Sequence, residues 1–148
     1  MSEKPAARRT QAERTQQRRE QVIREAIRLF AQNGYRGARL ADIAKAAGVT
    51  EPGLLHHFPT KAHLLMAVLA ERDRVDRERF DPRGRDESAS PFAPLRELAE
   101  YNETVPGLVQ LFTVLVAESL DEKHPGHDFF RRRYQQLRAV HIPLLREA

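Results

Sequence analysis

Residues 40–58 read LADIAKAAGVTEPGLLHHF. Leu40, Ile43, Ala44 and Ala47 recur at helical spacing, so a short helix with one apolar face spans about 40–47. Gly48 stops it, because glycine takes the left-handed conformation that closes a helix. Thr50 is a good N-cap for the next helix, and Pro52 is tolerated there because it lies in the first turn. Phe58-Pro59 closes that helix, since a residue before proline is pushed out of the helical region. Small side chains at Ala44 and Ala47 let the two short helices approach closely about the glycine turn. This arrangement is a helix-turn-helix, whose second helix can lie in a DNA major groove.

Working outward, Val22, Ile23, Ala26, Ile27 and Phe30 share one helical face, which predicts a helix from Arg18 that ends at Asn33-Gly34. Downstream, Thr60 can cap a fourth helix with Leu64, Leu65, Val68 and Leu69 apolar. Its continuation from Arg72 to Arg79 carries the i, i+4 pairs Arg72/Asp76, Asp73/Arg77 and Arg74/Glu78, and is expected to be a solvated extension. DPRGRDESAS, residues 81–90, reads as a loop. Three further helical stretches follow, at 91–103, 106–120 and 126–146, the first two with a proline near the start. Nothing alternates with period two over a useful length, so the chain is all-α. Residues 1–15 are polar, basic and aperiodic, and are expected to form a disordered arm.

The chain has 148 residues, which allows one domain or two small ones. Its net charge of +4 hides an asymmetry: residues 1–65 carry 12 basic and 6 acidic side chains, whereas residues 66–148 carry 13 and 15. A basic half attracts a polyanion that an acidic half repels, so the segregation points to nucleic acid. Arginine abundance by itself counts for less, because only Lys4, Lys45, Lys61 and Lys123 are lysine and a coding bias explains that. Zero cysteines exclude disulfides, a thiol nucleophile and thiolate zinc sites. The longest apolar stretch, Leu108 to Ala117, is too short to span a membrane, and the N-terminus lacks a secretory pattern, so a cytoplasmic protein is expected. His56, His57 and His63 straddle the Phe58-Pro59 break and His124 and His127 flank Pro125-Gly126, so no metal site and no cofactor are expected. No nucleophile stands with a base, and no enzyme is expected.

The run from Arg19 to Leu65, with Ala26, Leu29-Phe30, Gly34-Tyr35, Ile43-Ala44, Ala47-Gly48-Val49, His57-Phe58 and Lys61, resembles the N-terminal domain of the TetR/AcrR family of transcriptional regulators. The resemblance covers roughly a third of the chain. Around Pro106 to Tyr134, including Glu118, His124-Pro125 and Tyr134, a looser likeness fits that family's variable regulatory domain. It implies a three-helix DNA-binding domain at 16–76, after the arm at 1–15, and a helical ligand-binding and dimerisation domain at 77–148. It also implies a homodimer that binds a pseudo-palindromic operator in double-stranded DNA and releases it when a small-molecule effector enters. Family members usually continue with two more helices, so the regulatory domain is expected to be incomplete at its C-terminus.

Carried over residue by residue, the resemblance places Thr50 at the start of the recognition helix, Glu51, Pro52 and Gly53 at base-reading positions, and His56 and Lys61 at phosphates. Arg36, Arg39 and Lys45 become phosphate contacts on the same reading. Two positions depart from the family pattern. Leu55 replaces a tyrosine that reaches phosphate, and Arg39 replaces a capping threonine, with Asp42 partly offsetting the loss through the helix dipole. For the effector, the resemblance points to Leu108, Phe112, Leu115 and Val116 as an apolar lining, with Tyr101, Asn102, Thr113 and Glu118 supplying polar contacts.

The same residues also have plainer readings. The helical apolar stripe of Leu108, Leu111, Phe112, Leu115 and Val116 is ordinary core, Arg131-Arg132-Arg133 is one solvated helix face, and Arg8, Arg9, Arg14, Arg18 and Arg19 form a loose arm. Tyr35 is expected to pack between the first and fourth helices. The competing function is a helical protein-interaction module with a non-specific basic arm, which a gel shift separates from a regulator.

Overall fold

The computed structural model describes residues 10–80 and 93–147. Among them run seven helices and no strand: α1 Gln11–Gly37, α2 Leu40–Ala46, α3 Glu51–His57, α4 Lys61–Phe80, α5 Ala93–Thr104, α6 Pro106–Glu118 and α7 His127–Glu147. The expected all-α class holds. The loop expected at 81–90 lies outside the described residues.

α1 begins seven residues before the expected Arg18. Thr10 and Glu13 form a capping box: the Glu13 amide donates to Thr10 Oγ1 at 3.2 Å, and the Thr10 amide donates to Glu13 Oε2 at 2.8 Å. The arm expected over 1–15 is therefore helical from Gln11, while residues 1–9 lie outside the described part. Periodicity missed this turn because residues 11–18 are all exposed and bury no apolar face. At the other end, Gly34 leaves the helix with φ +70°, a value that L side chains rarely adopt, and one further turn leads to Gly37.

One hydrophobic core joins the two halves of the chain. Val22, Ile23, Ala26 and Phe30 of α1 meet Ile43, Leu54 and Phe58 around the helix-turn-helix, Leu64, Leu65, Val68 and Leu69 of α4, and Leu111 and Leu115 of α6. α1 packs most extensively against α6. Each fully buried large apolar side chain contributes roughly 1.5–3 kcal/mol, so α6 is a structural partner of the N-terminal helices and no loose appendage.

The charged end of α4 is buried where solvent was expected. Arg72 is 7% exposed and pairs with Asp76 at 3.1 Å, while its Nη2 donates to Asn102 Oδ1 of α5 at 3.2 Å. Arg133, expected on a solvated face of α7, instead bonds Asp73 and reaches Asp76 at 2.9 Å. Both guanidiniums lie over the ring of Phe112, at 5.8 Å and 5.2 Å from its centroid. Sequence spacing identified the Arg72/Asp76 and Arg74/Glu78 pairs but not their depth, because only α5 and α7 exclude the water. Arg74, paired with Glu71 and Glu78, stays on the surface as expected.

The connection from α6 to α7 turns back on α1. Tyr35 meets Phe30 at 6.0 Å and the His124 ring edge-on at 5.0 Å, so its neighbour is this connection as well as the α1 and α4 helices. His124 is buried, and its Nδ1 accepts the Gly126 amide at 3.1 Å. That bond needs a lone pair on Nδ1 and hence the neutral ring. Burial lowers the His124 pKa, against an opposing pull from the Glu118 carboxylate.

These burials set three expected outcomes. Asp76→Ala leaves Arg72 and Arg133 without their shared carboxylate and is expected to cost about 3 kcal/mol in urea unfolding. Arg74→Ala, on the exposed side of the same helix, is expected to change stability by no more than about 0.5 kcal/mol. For His124, the unfolded chain binds more protons than the folded one between the lowered folded pKa and the ordinary value of about 6.5. Its contribution is therefore present in full above pH of about 6.5 and lost as pH falls toward the folded pKa. Urea midpoints measured down that range should fall less steeply in His124→Gln than in the wild type.

Candidate nucleic-acid interface

α2 and α3 are set against each other by short local bonds. The Val49 amide donates to the Ala44 carbonyl at 3.0 Å, and the Ala47 amide to the Ile43 carbonyl at 2.9 Å. Gly48 then turns the chain with φ +67°. Thr50 Oγ1 accepts the Gly53 amide at 3.2 Å, so the hydroxyl caps α3 as expected and keeps its own proton to donate. A Cβ on Gly53 would stand 3.1 Å from that hydroxyl oxygen. The glycine thus protects the cap as well as keeping the helix surface low.

Leu54 is fully buried and fixes the inner face of α3, while Glu51, Pro52 and His56 are exposed and Gly53 is half-buried. These four expected base and phosphate positions therefore share the outer surface around the N-terminal turns of α3. Arg39 precedes α2 without a side-chain capping bond, and it is exposed, as is Lys45 on the last turn of α2. Leu55 is half-buried.

Arg36 and Lys61 are engaged within the protein. Arg36 pairs with Asp121 beyond the end of α6. Lys61 Nζ donates to the Arg36 carbonyl at 3.2 Å and stands 4.7 Å from the Tyr35 ring centroid. Burial lowers the Lys61 pKa, and the Glu118 carboxylate opposes that shift. Sequence reading placed both cations at phosphates because their partners come from residues about 25 and 85 positions away.

Sequence reading also set Arg19 aside as part of a loose arm. It is half-buried on α1, with its guanidinium 5.3 Å from the Phe58 ring centroid, directly beneath the end of α3. Burial lowers the His57 pKa, and the nearby charges of His56, Arg19 and Arg18 lower it further. The base of α3 is therefore electropositive, a property suited to a phosphate backbone. A helical position about four residues after the end of the expected arm does not announce such a contact.

A concavity of about 370 Å³ opens between α4, α5, α6 and α7. Among the residues expected to meet an effector, Asn102, Leu108, Phe112, Thr113 and Val116 line it. Leu115 does not; it is fully buried in the common core. The Tyr101 ring instead takes the guanidiniums of Arg72 and Arg79, at 5.5 Å and 4.7 Å. Glu118 turns away to α1, where Oε2 accepts the Tyr35 amide at 2.6 Å and Oε1 accepts the Arg36 amide at 3.4 Å. Arg72, Asp76 and Arg133 complete the polar wall, and sequence reading missed them because it treated their helices as solvated. Among the described residues no group of His, Asp or Glu side chains is arranged to hold a metal ion, and no helix is long and apolar enough to cross a membrane.

The comparisons with known proteins converge on the same region. Residues 22–68 match the model of the family described as bacterial regulatory proteins, tetR family. The chain is 39% identical over 82 residues to the HTH-type transcriptional regulator CymR of Pseudomonas putida, a match covering 51% of this chain and 40% of that protein. It is 42% identical over 50 residues to the HTH-type transcriptional regulator RutR of Escherichia coli K12, covering 34% and 24%. The chain thus matches less than half the length of these curated relatives. Among solved structures, Salmonella enterica GusR superposes with a TM-score of 0.73 at 20% identity, covering 94% of this chain and 70% of that one, which shows a shared fold. The helix-turn-helix lies inside the segment that matches the tetR family model, and the relatives that share this segment are HTH-type transcriptional regulators.

Proposed function

We propose that this protein is a sequence-specific DNA-binding transcriptional regulator, acting as a repressor whose operator is released when a small molecule enters the α4–α7 cavity. One observation carries the DNA-binding part. α3 is capped by Thr50, anchored inward by Leu54, and leaves Glu51, Pro52, Gly53 and His56 on an outer surface flanked by the exposed cations Arg39 and Lys45. That combination gives a short helix able to enter a major groove with phosphate contacts on either side. Arg36 and Lys61 remain part of the proposed surface through the turn they build, and His56 and Thr50 through direct contact.

The ligand half of the proposal is supported by a cavity with an apolar wall of Leu108, Phe112 and Val116 and a polar end at Asn102 and Thr113. Two such readers must face successive major grooves about 34–36 Å apart for a pseudo-palindromic operator, so the protein is proposed to act as a homodimer. Tyr134 on α7 is exposed and can take part in such an association. The proposed domains are the helix-turn-helix unit of 16–76 and a regulatory part over 77–148, working in the cytoplasm with no cofactor.

A gel shift with genomic fragments, including the one upstream of the protein's own gene, tests this reading. A specific, salt-sensitive shift is expected, and Arg39→Ala and Lys45→Ala should each reduce the slope of log affinity against log salt by about 1. Sequence-independent binding, or none, would leave a helical protein-interaction module as the better account.

A further inference from the structure

The chain between α1 and α2 makes an elbow that three elements hold at once. Gly34 breaks α1 with φ +70°, and Tyr35, Arg36 and Gly37 form one turn before the extended Ala38 leads into α2. From one side, the Glu118 carboxylate at the last residue of α6 accepts both the Tyr35 and Arg36 amides, at 2.6 Å and 3.4 Å. From the other, Lys61 at the first residue of α4 donates to the Arg36 carbonyl at 3.2 Å. The fit around the carboxylate is close: a Cβ on Gly34 would stand 2.6 Å from Glu118 Oε1. His124 Nε2 is buried without a hydrogen-bond partner of its own and lies 3.8 Å from Glu118 Oε2, while the carboxylate stays partly open to solvent.

Glu118 sits immediately after Val116 and Ala117, which line the cavity on the same helix. Whatever moves that last turn of α6 must therefore move the carboxylate, and the carboxylate grips the segment from which α2 and α3 hang. A charge-assisted bond to a backbone amide is strong and strict in geometry, so a small displacement of α6 is enough to break it.

We infer that Glu118 is the positioning residue of this regulator: its carboxylate clamps the Gly34–Arg36 elbow to α6 and thereby sets the orientation of the α2–α3 reader relative to the cavity. The inference rests on the DNA-binding reading for its functional consequence, while the clamp itself can be tested without DNA. Because the Arg36 carbonyl is held by Lys61, release of Glu118 also frees the start of α4, and both borders of the α2–α3 unit loosen together.

The test is amide hydrogen exchange on the full chain, read by mass spectrometry over peptides covering 33–39 and 40–58, together with gel shifts on the upstream fragment. Glu118→Gln keeps the side-chain volume and removes the charge. It should speed exchange at 33–39 and at 40–58 by about tenfold. The thermal midpoint should stay near that of the wild type, and affinity for the fragment should fall by about tenfold. Glu118→Asp, one methylene shorter with the charge retained, should give an intermediate effect and serves if the glutamine variant does not fold. Asp121→Asn, which removes only the Arg36 ion pair, should leave exchange at 33–39 unchanged.

Exchange at 33–39 that stays at the wild-type rate in both Glu118 variants overturns the clamp. Faster exchange confined to 33–39, with 40–58 and DNA affinity unmoved, overturns the positioning role. An Asp121→Asn effect as large as that of Glu118→Gln overturns the assignment to Glu118. If the wild-type protein itself binds no DNA, the functional reading fails separately, and the spread of exchange from 33–39 into 40–58 alone decides the inference.

Discussion

The packing of α1 against α6 is the constraint on which the rest of the structure depends. α1 is the longest described helix and has to satisfy two partners at once. The face carrying Val22, Ile23, Ala26 and Phe30 closes the helix-turn-helix through Ile43, Leu54 and Phe58, and the same helix receives Leu111 and Leu115 of α6. Because close-packed side chains transmit displacement and do not absorb it, the helix-turn-helix and the cavity are mechanically coupled. Gly34 allows this double duty. By breaking α1 with a positive φ it turns the chain toward α2 and exposes two amides that α6 can hold.

A second consequence concerns charge. Arg72, Asp73, Asp76 and Arg133 bring α4 and α7 together, with Asn102 added from α5, around a cavity whose remaining wall is mainly apolar, with Thr113 and Tyr134 as further polar side chains. Buried ion pairs add little net stability over apolar packing, but their geometry is strict, so they fix how helices are registered. Two guanidiniums at one aromatic ring, that of Phe112, add to this by tying the register to the cavity wall. The negative half of the chain, seen from composition as mere repulsion from a polyanion, spends some of its carboxylates here.

Much of the fold could be read in the sequence because local rules governed it. Thr50, Pro52 and Phe58-Pro59 set the limits of α3, and Gly48 set the end of α2, through backbone preferences that need no distant partner. The apolar spacing of α1, α2 and α6 predicted which faces are buried, and Ile43, Ala44, Leu111 and Leu115 are. Local chemistry also contained a signal that periodicity overrode: Thr10 and Glu13 stand at capping-box spacing, and α1 begins there. The candidate site divides along the same line. Exposure of Glu51, Pro52 and His56 follows from their place on a short helix whose inner residue is Leu54.

What the sequence by itself determined is therefore the helices, their caps and the apolar face of each, since these depend on backbone preferences and on spacings of three and four residues. Beyond the i, i+4 pairs, the tertiary structure alone decided what the charged residues do. Arg36 with Asp121, Lys61 with the Arg36 carbonyl, Glu118 with the Tyr35 amide and Arg133 with Asp73 and Asp76 each join residues from about 25 to 85 positions apart. A charged side chain has the same local signature whether solvated or clamped. Only the helices packed around it remove the water and supply the partner.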